Sequence, residues 1–189
     1  MLICAIASQA LAQNQKTDSA SKEPKTKLEA FEARTGAVII RGFATIGSVA
    51  GRFSTSATVE CKEFTDASSG KKEYGITITV KKSSDYGHEH VSYIDYDEID
   101  SLIKGIDYIT KIDKTVTKLD LFQADYRTKG QLTVSTFSDD AGKVQAAVES
   151  GLYGSVSAYF SLDQLAEFKN LIQKAKDKLD SIQTEANKK

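Results

Sequence analysis

The amino-acid sequence predicts an α+β domain made of two fused ββββα halves, antiparallel sheet packed by two amphipathic helices. Three observations lead there. Segments of strand type come in two runs of four, each run ends in a helix with apolar residues three and four apart, and the two helices superimpose at a shift of 66 positions. The chain has 189 residues, 40% of them hydrophobic, enough for one domain with its own core. Its 25 Lys and Arg balance 26 Asp and Glu, so bulk charge gives it no attraction to polyanions. No apolar run reaches the roughly 18 residues that a membrane span needs.

Residues 1–12 read MLICAIASQALA, and Ala10-Leu11-Ala12 has the small-x-small form that a signal peptidase accepts, with Gln13 as the mature start. The positively charged head of a leader is missing, so this is a partial signal peptide, as a start codon placed too far downstream would leave it. It implies export to the periplasm or the extracellular space. Residues 13–27, QNQKTDSASKEPKTK, hold no aromatic or large aliphatic residue and the chain's one proline, Pro24. Such a stretch buries too little surface to offset its chain entropy and reads as a disordered tether. The globular domain follows over residues 28–186, in halves of about 37–113 and 118–183. Removing the leader removes Cys4 and leaves Cys61, which shares a strand face with Val59 and reads as a buried thiol.

In the first half, strands are expected over Ala37–Val49, Ala57–Phe64, Tyr74–Lys81 and Val91–Ile94. Ile76, Ile78 and Val80 alternate with Thr77 and Thr79, the mark of a half-buried strand, and Asp66-Ala67-Ser68-Ser69-Gly70 joins two strands as a hairpin. Asp95-Tyr96-Asp97-Glu98 has capping-box form, and Ile99, Leu102, Ile103, Ile106, Ile109 and Ile112 then stripe one helix face, weakened a little by Gly105. The second half offers Lys118–Arg127, Gln131–Phe137, Lys143–Ser150 and Ser155–Phe160, with turns at Lys129-Gly130 and Ser138-Asp139-Asp140-Ala141-Gly142. Ser161-Leu162-Asp163-Gln164 is its capping box, and Leu165, Phe168, Ile172, Ala175, Leu179 and Ile182 stripe a helix over Leu162–Gln183. The shift lays Tyr93 on Tyr159, Asp97 on Asp163, Glu98 on Gln164, Ile99 on Leu165, Leu102 on Phe168 and Ile106 on Ile172. One deletion upstream aligns Tyr86-Gly87 with Tyr153-Gly154. The competing arrangement is a single barrel or sandwich with the first helix inserted.

Two ββββα units in tandem, over about residues 37–183, resemble the plan of PUR-type and Whirly-type domains. That resemblance implies single-stranded nucleic-acid binding, with bases stacked on sheet aromatics and basic residues along the backbone. Arg41, Lys62, Lys81, Lys82, Arg127 and Lys129 beside Tyr126 would supply the basic patch. The chain departs from the plan in lacking a glycine-arginine-phenylalanine element of the PUR kind and an excess of positive charge.

Catalytic motifs are missing from the sequence. Ser101 and Lys104 match S-x-x-K spacing but lie within a helix, without the S-D-N and K-T-G partners. Gly47-Ser48-Val49-Ala50-Gly51 is not G-x-S-x-G, and no phosphate-binding G-x-x-x-x-G-K-[ST] occurs. The candidate metal ligands are His88 and His90, side by side on one face of an extended chain, and the acidic run Asp95, Asp97, Glu98 and Asp100. That run lacks an EF-hand glycine loop, and helix-start capping accounts for it. The sequence thus reads as a small exported binding or structural interaction module without a cofactor. Its partner would be a protein, an envelope component or a small ligand, and its sheet edges offer a route to a homodimer.

Overall fold

The computed structural model describes residues 23–83 and 87–186, so the leader, most of the tether and Tyr86 lie outside the described residues. A short helix, α1 (Lys27–Glu32), precedes β1 (Ile39–Ala50), β2 (Thr55–Asp66), β3 (Lys72–Lys82) and β4 (His88–Asp95), which form one antiparallel sheet in that order. After one 3-10 turn comes α2 (Ile99–Ile109). A second antiparallel sheet follows, β5 (Gln123–Arg127), β6 (Leu132–Ser138), β7 (Val144–Ser150) and β8 (Val156–Phe160), again in chain order, and α3 (Leu162–Ala186) ends the description. The two ββββα halves are therefore real, and the barrel alternative falls because the strands close into two separate sheets.

Alternation decides which face each strand buries. Ala57, Val59 and Cys61 on β2, Ile76, Ile78 and Val80 on β3, Val134 on β6, and Val148 on β7 all point into one shared core. Both helical stripes enter that core, and the residues matched by the repeat, Ile99 with Leu165, Leu102 with Phe168 and Ile106 with Ile172, are buried in both copies. The helices are exchanged. α2 leaves the first sheet and lies on β5 and β6, where Tyr126 covers Gly105; α3 keeps a contact with β7 and β8 but lies chiefly on β1 and β2, where Leu171 covers Gly47 and the Cys61 thiol donates to Ala175 O at 3.4 Å. Burial pushes the Cys61 thiol up to about 11, so it is held as an unreactive thiol.

Three local differences from the sequence reading have physical causes. Residues 23–27 do not all belong to a tether. Thr26 is buried and caps α1, accepting from Glu29 N at 3.1 Å while Glu29 Oε2 accepts from Thr26 N at 3.0 Å, and Leu28 and Phe31 pack on Phe64 over the outward face of the first sheet. Asp95 does not cap its own helix. Its carboxylate accepts from Lys27 N at 2.9 Å and Leu28 N at 3.1 Å, so it caps α1 from 68 residues away, while Glu98 accepts from Lys129 N. α2 ends at Ile109, where the Thr110 hydroxyl donates to Ile106 O and the Thr136 hydroxyl donates to Ile109 O, satisfying carbonyls at that helix end. At the start of α3 the predicted box does form, with Ser161 N donating to Gln164 Oε1 and Gln164 N to Ser161 Oγ. Asp95→Ala is expected to release α1 at a cost of about 1–2 kcal/mol; hydrogen exchange would show Leu28 and Phe31 losing protection before the sheets do.

The β2–β3 turn is held by Asp66, whose Oδ1 accepts from the Ser68 hydroxyl at 2.6 Å and from Ser68 N and Ser69 N, while Oδ2 accepts from Arg34 Nη1 at 3.0 Å. The Ser68 hydroxyl bond, with the two amide bonds and Arg34, lowers this carboxyl to about 2. A depressed folded value stabilises above the unfolded value and is lost as pH falls, here between about pH 4 and pH 2. Asp66→Asn should therefore weaken the protein at neutral pH and flatten its acid-unfolding limb in that window, as read by circular dichroism.

Candidate functional site: the outward face of the second sheet

The strand register lays the outward side chains of β5 to β8 in rows. One row runs Asp125, Ser135, Ala147, Tyr159; the next runs Arg127, Thr133, Glu149, Ser157; Gln123 and Phe137 flank the first. Small residues occupy the middle, Ser135 and Ala147, and longer ones surround them. The outcome is an open hollow of about 340 Å³, floored by Ser135 and Ala147 and ringed by Asp125, Arg127, Glu149 and Tyr159.

Several of the ring groups are pre-positioned. Arg127 Nε donates to Thr133 Oγ1 at 3.1 Å, which steadies the guanidinium; the Ser157 hydroxyl donates to Glu149 Oε2 at 2.9 Å; Gln123 Nε2 donates to Asp125 Oδ1 at 2.9 Å. Glu149 thus faces the guanidinium across the Thr133-bearing strand β6, and Asp125 flanks it on β5. Tyr159, 42% exposed, offers its ring at the rim.

The β1–β2 turn places a further aromatic, Phe53, against Tyr159 beside the hollow. Phe53 and Ser54 hold φ of 58° and 56°, a left-handed conformation that costs a residue with a side chain of its own. The turn is over-determined by hydrogen bonds, Gly51 N to Thr55 O at 2.7 Å, the Thr55 hydroxyl to Arg52 O at 2.6 Å and Arg52 N to Tyr159 O at 2.9 Å. Its result is an exposed Phe53 ring edge-on to Tyr159, centroids 6.0 Å apart. Two successive left-handed residues closed by Thr55 N to Arg52 O at 3.2 Å are what a two-residue hairpin turn requires, and they leave the Phe53 ring in solvent.

The sequence candidates lie elsewhere and do not converge. His90 Nδ1 sits 3.1 Å from Ser150 Oγ, which in turn sits 2.7 Å from Ser92 Oγ, so this imidazole stitches β4 to β7. His88 lies beside Lys82 at the strand end. Asp95 caps α1, and Asp97 pairs with Lys27 at 2.7 Å, whose hydrogen bond holds the Asp97 carboxyl below the usual carboxylate range. Among the described residues no three His, Cys, Asp or Glu side chains gather as a metal site. The basic residues grouped with Tyr126 are also dispersed: Arg41 pairs with Glu32, Lys62 pairs with Glu60, and Tyr126 turns inward onto Gly105. Of that set Arg127 alone lines the hollow. The sequence reading passed over Phe53, Asp125, Phe137, Glu149 and Tyr159, although aromatics at the outward positions of alternating strands were the available signal.

Comparison with known protein families, curated proteins and solved structures finds no match to this chain. No helix among the described residues is long and apolar enough to cross a membrane.

Proposed function

We propose that this chain is an exported binding module that seats a neutral, hydroxyl-rich ligand of saccharide type in the hollow of the second sheet. The observation that carries this is the ring itself: Asp125, Arg127 and Glu149, held by neighbouring side chains, surround a small-residue floor beside the exposed Tyr159 ring. Carboxylate and guanidinium groups satisfy hydroxyls in pairs, and an aromatic face takes the apolar side of a sugar ring. The alternative, a single-stranded nucleic-acid site of PUR or Whirly type, would place phosphates against Asp125 and Glu149 with Arg127 as the one cation of the hollow.

Amide and methyl spectra of the full chain, titrated with chitotriose, maltotriose and a dT oligomer, decide between them. A saccharide should shift Ser135, Ala147 and Tyr159 and leave the first sheet unmoved, and Ala147→Trp, which fills the floor, should abolish the shifts while the melting temperature holds. Shifts given by the dT oligomer alone, steeply weakened by salt, would overturn the reading. Export is tested by the mature N-terminus, expected at Gln13 in a fraction outside the cytoplasm.

A homodimer through a sheet edge belongs to the same reading, at β1. That edge strand is 12 residues long with Arg41 as its one charge, and Val38, Ile40 and Phe43 on or beside it are exposed. Long edges with little charge pair unless something covers them. Sedimentation should show a dimer that Ile40→Lys dissociates.

A further inference from the structure

The geometry points to a second binding site, which adjoins the hollow and shares Ser157 and Tyr159 with it: the open edge of β8 takes an extended peptide with acidic side chains by strand addition. The order of the second sheet leaves β8 at an edge. In an antiparallel ladder a residue turns its N–H and C=O to the same side, and successive residues alternate. Tyr159 O accepts from Arg52 N at 2.9 Å, so the backbone of residue 159 faces away from β7, and that of Ser157 does the same. Among the described residues, neither Ser157 N nor Ser157 O has a backbone partner beyond the sheet. The β1–β2 turn has thus made the first bond of an added strand and left the backbone groups of Ser157 open.

A groove of about 410 Å³ runs beside this edge, lined by Ser155, Ser157 and Tyr159 on one wall and by Lys82 and His88 on the other. The second wall has a register origin. Lys82 pairs with both Thr55 and His88, two residues beyond the core row of Ala57, Val80 and His90, so it faces the same way as that row past the end of the core. Both Lys82 and His88 are exposed there. The Glu149 carboxylate on the neighbouring strand already accepts the Ser157 hydroxyl, on the outward face of the sheet. The groove side therefore offers an ammonium and an imidazole to the inward side chains of an added strand, and carboxylates complement them. β4, the edge strand nearest in the first sheet, is less open: the β5–β6 turn packs so closely that a Cβ at Gly130 would fall 1.8 Å from Tyr93 O. Backbone bonds along the edge with alternate side chains in a groove are the recognition mode of strand addition.

The test is fluorescence anisotropy of the full chain with a labelled heptapeptide alternating Thr and Glu. Saturable binding is expected, with no binding of the Thr and Lys counterpart. N-methylation of the two amides facing β8 should weaken it about tenfold or more, as should Ser157→Pro, which removes an edge donor that the β7 ladder does not use. Lys82→Glu, at a residue that lines the groove and not the hollow, should have the same effect while the saccharide shifts remain, so the two sites fail separately. The proposal is overturned if the peptide does not bind, if binding ignores both N-methylation and Ser157→Pro, or if the chain self-associates in a way that Ser157→Pro abolishes, since a second copy would then own the edge. Should Ser157→Pro fail to fold, the N-methylated peptide makes the same decision on the unaltered chain.

Discussion

Gly105→Val is expected to lower the melting temperature of the whole chain by about 5–10 °C, a loss of roughly 2–3 kcal/mol. Helix propensity alone argues the other way, since a mid-helix glycine costs about 0.8–1.0 kcal/mol against alanine. Packing overrides it. A Cβ at position 105 would stand 2.1 Å from Tyr126 Cδ2 and 2.5 Å from Cε2 and Cγ, so α2 can approach β5 this closely only without a side chain there. The ring cannot retreat cheaply, because it is part of the packed layer between α2 and β5. The sign can be reversed by design. In a Tyr126→Ala background the space is free, and Gly105→Ala should then stabilise by about 0.5–1 kcal/mol, the propensity gain alone. Thermal melts of the four proteins in that cycle read the coupling; a gain from Gly105→Ala in both backgrounds would show that the ring does not constrain the helix.

Gly105 also marks where sequence reading stops. Its cost to a helix follows from composition, but its reason is a tyrosine 21 positions away on another element. The eight strands were legible because Ile76, Ile78 and Val80 and their counterparts alternate with polar residues, and the helices because their stripes recur at three and four. What a stripe does not state is which sheet it covers, so the exchange of α2 and α3 had no local sign. Asp95 misled for the same reason. Its spacing to Glu98 fits a capping box, yet the carboxylate reaches the amides of Lys27 and Leu28, a long-range bond with no periodic trace. α1 was hidden in polar sequence because two residues, Leu28 and Phe31, carry its packing. Most of the lysines and arginines first grouped as a basic patch are scattered over two sheets, and the hollow exists only once four strands set Ser135 and Ala147 side by side, so no single segment announces it.

Division of the chain after Thr117 should leave neither half folded. The expected result is two fragments with collapsed amide dispersion and no cooperative melt, which recover one shared transition when mixed. The cause is the helix exchange. In the first fragment the inward faces of β1 and β2, with Val49, Ala57, Val59 and Cys61, would lose α3, and α2 would lose the sheet it covers. In the second, α3 would keep Phe168 against Phe160 of β8 but lose the first sheet, on which Leu171 and Leu179 lie. Each such side chain is worth about 1.5–3 kcal/mol on burial, so exposing several of them across the two fragments is comparable to the roughly 5–15 kcal/mol that holds a domain together. Calorimetry of the intact chain should accordingly show one transition whose calorimetric and van't Hoff enthalpies agree. A first fragment that melts cooperatively alone would mean that α2 can fold back onto the sheet that precedes it, and the exchange would then be a choice between two closures of similar energy instead of a requirement of the sequence.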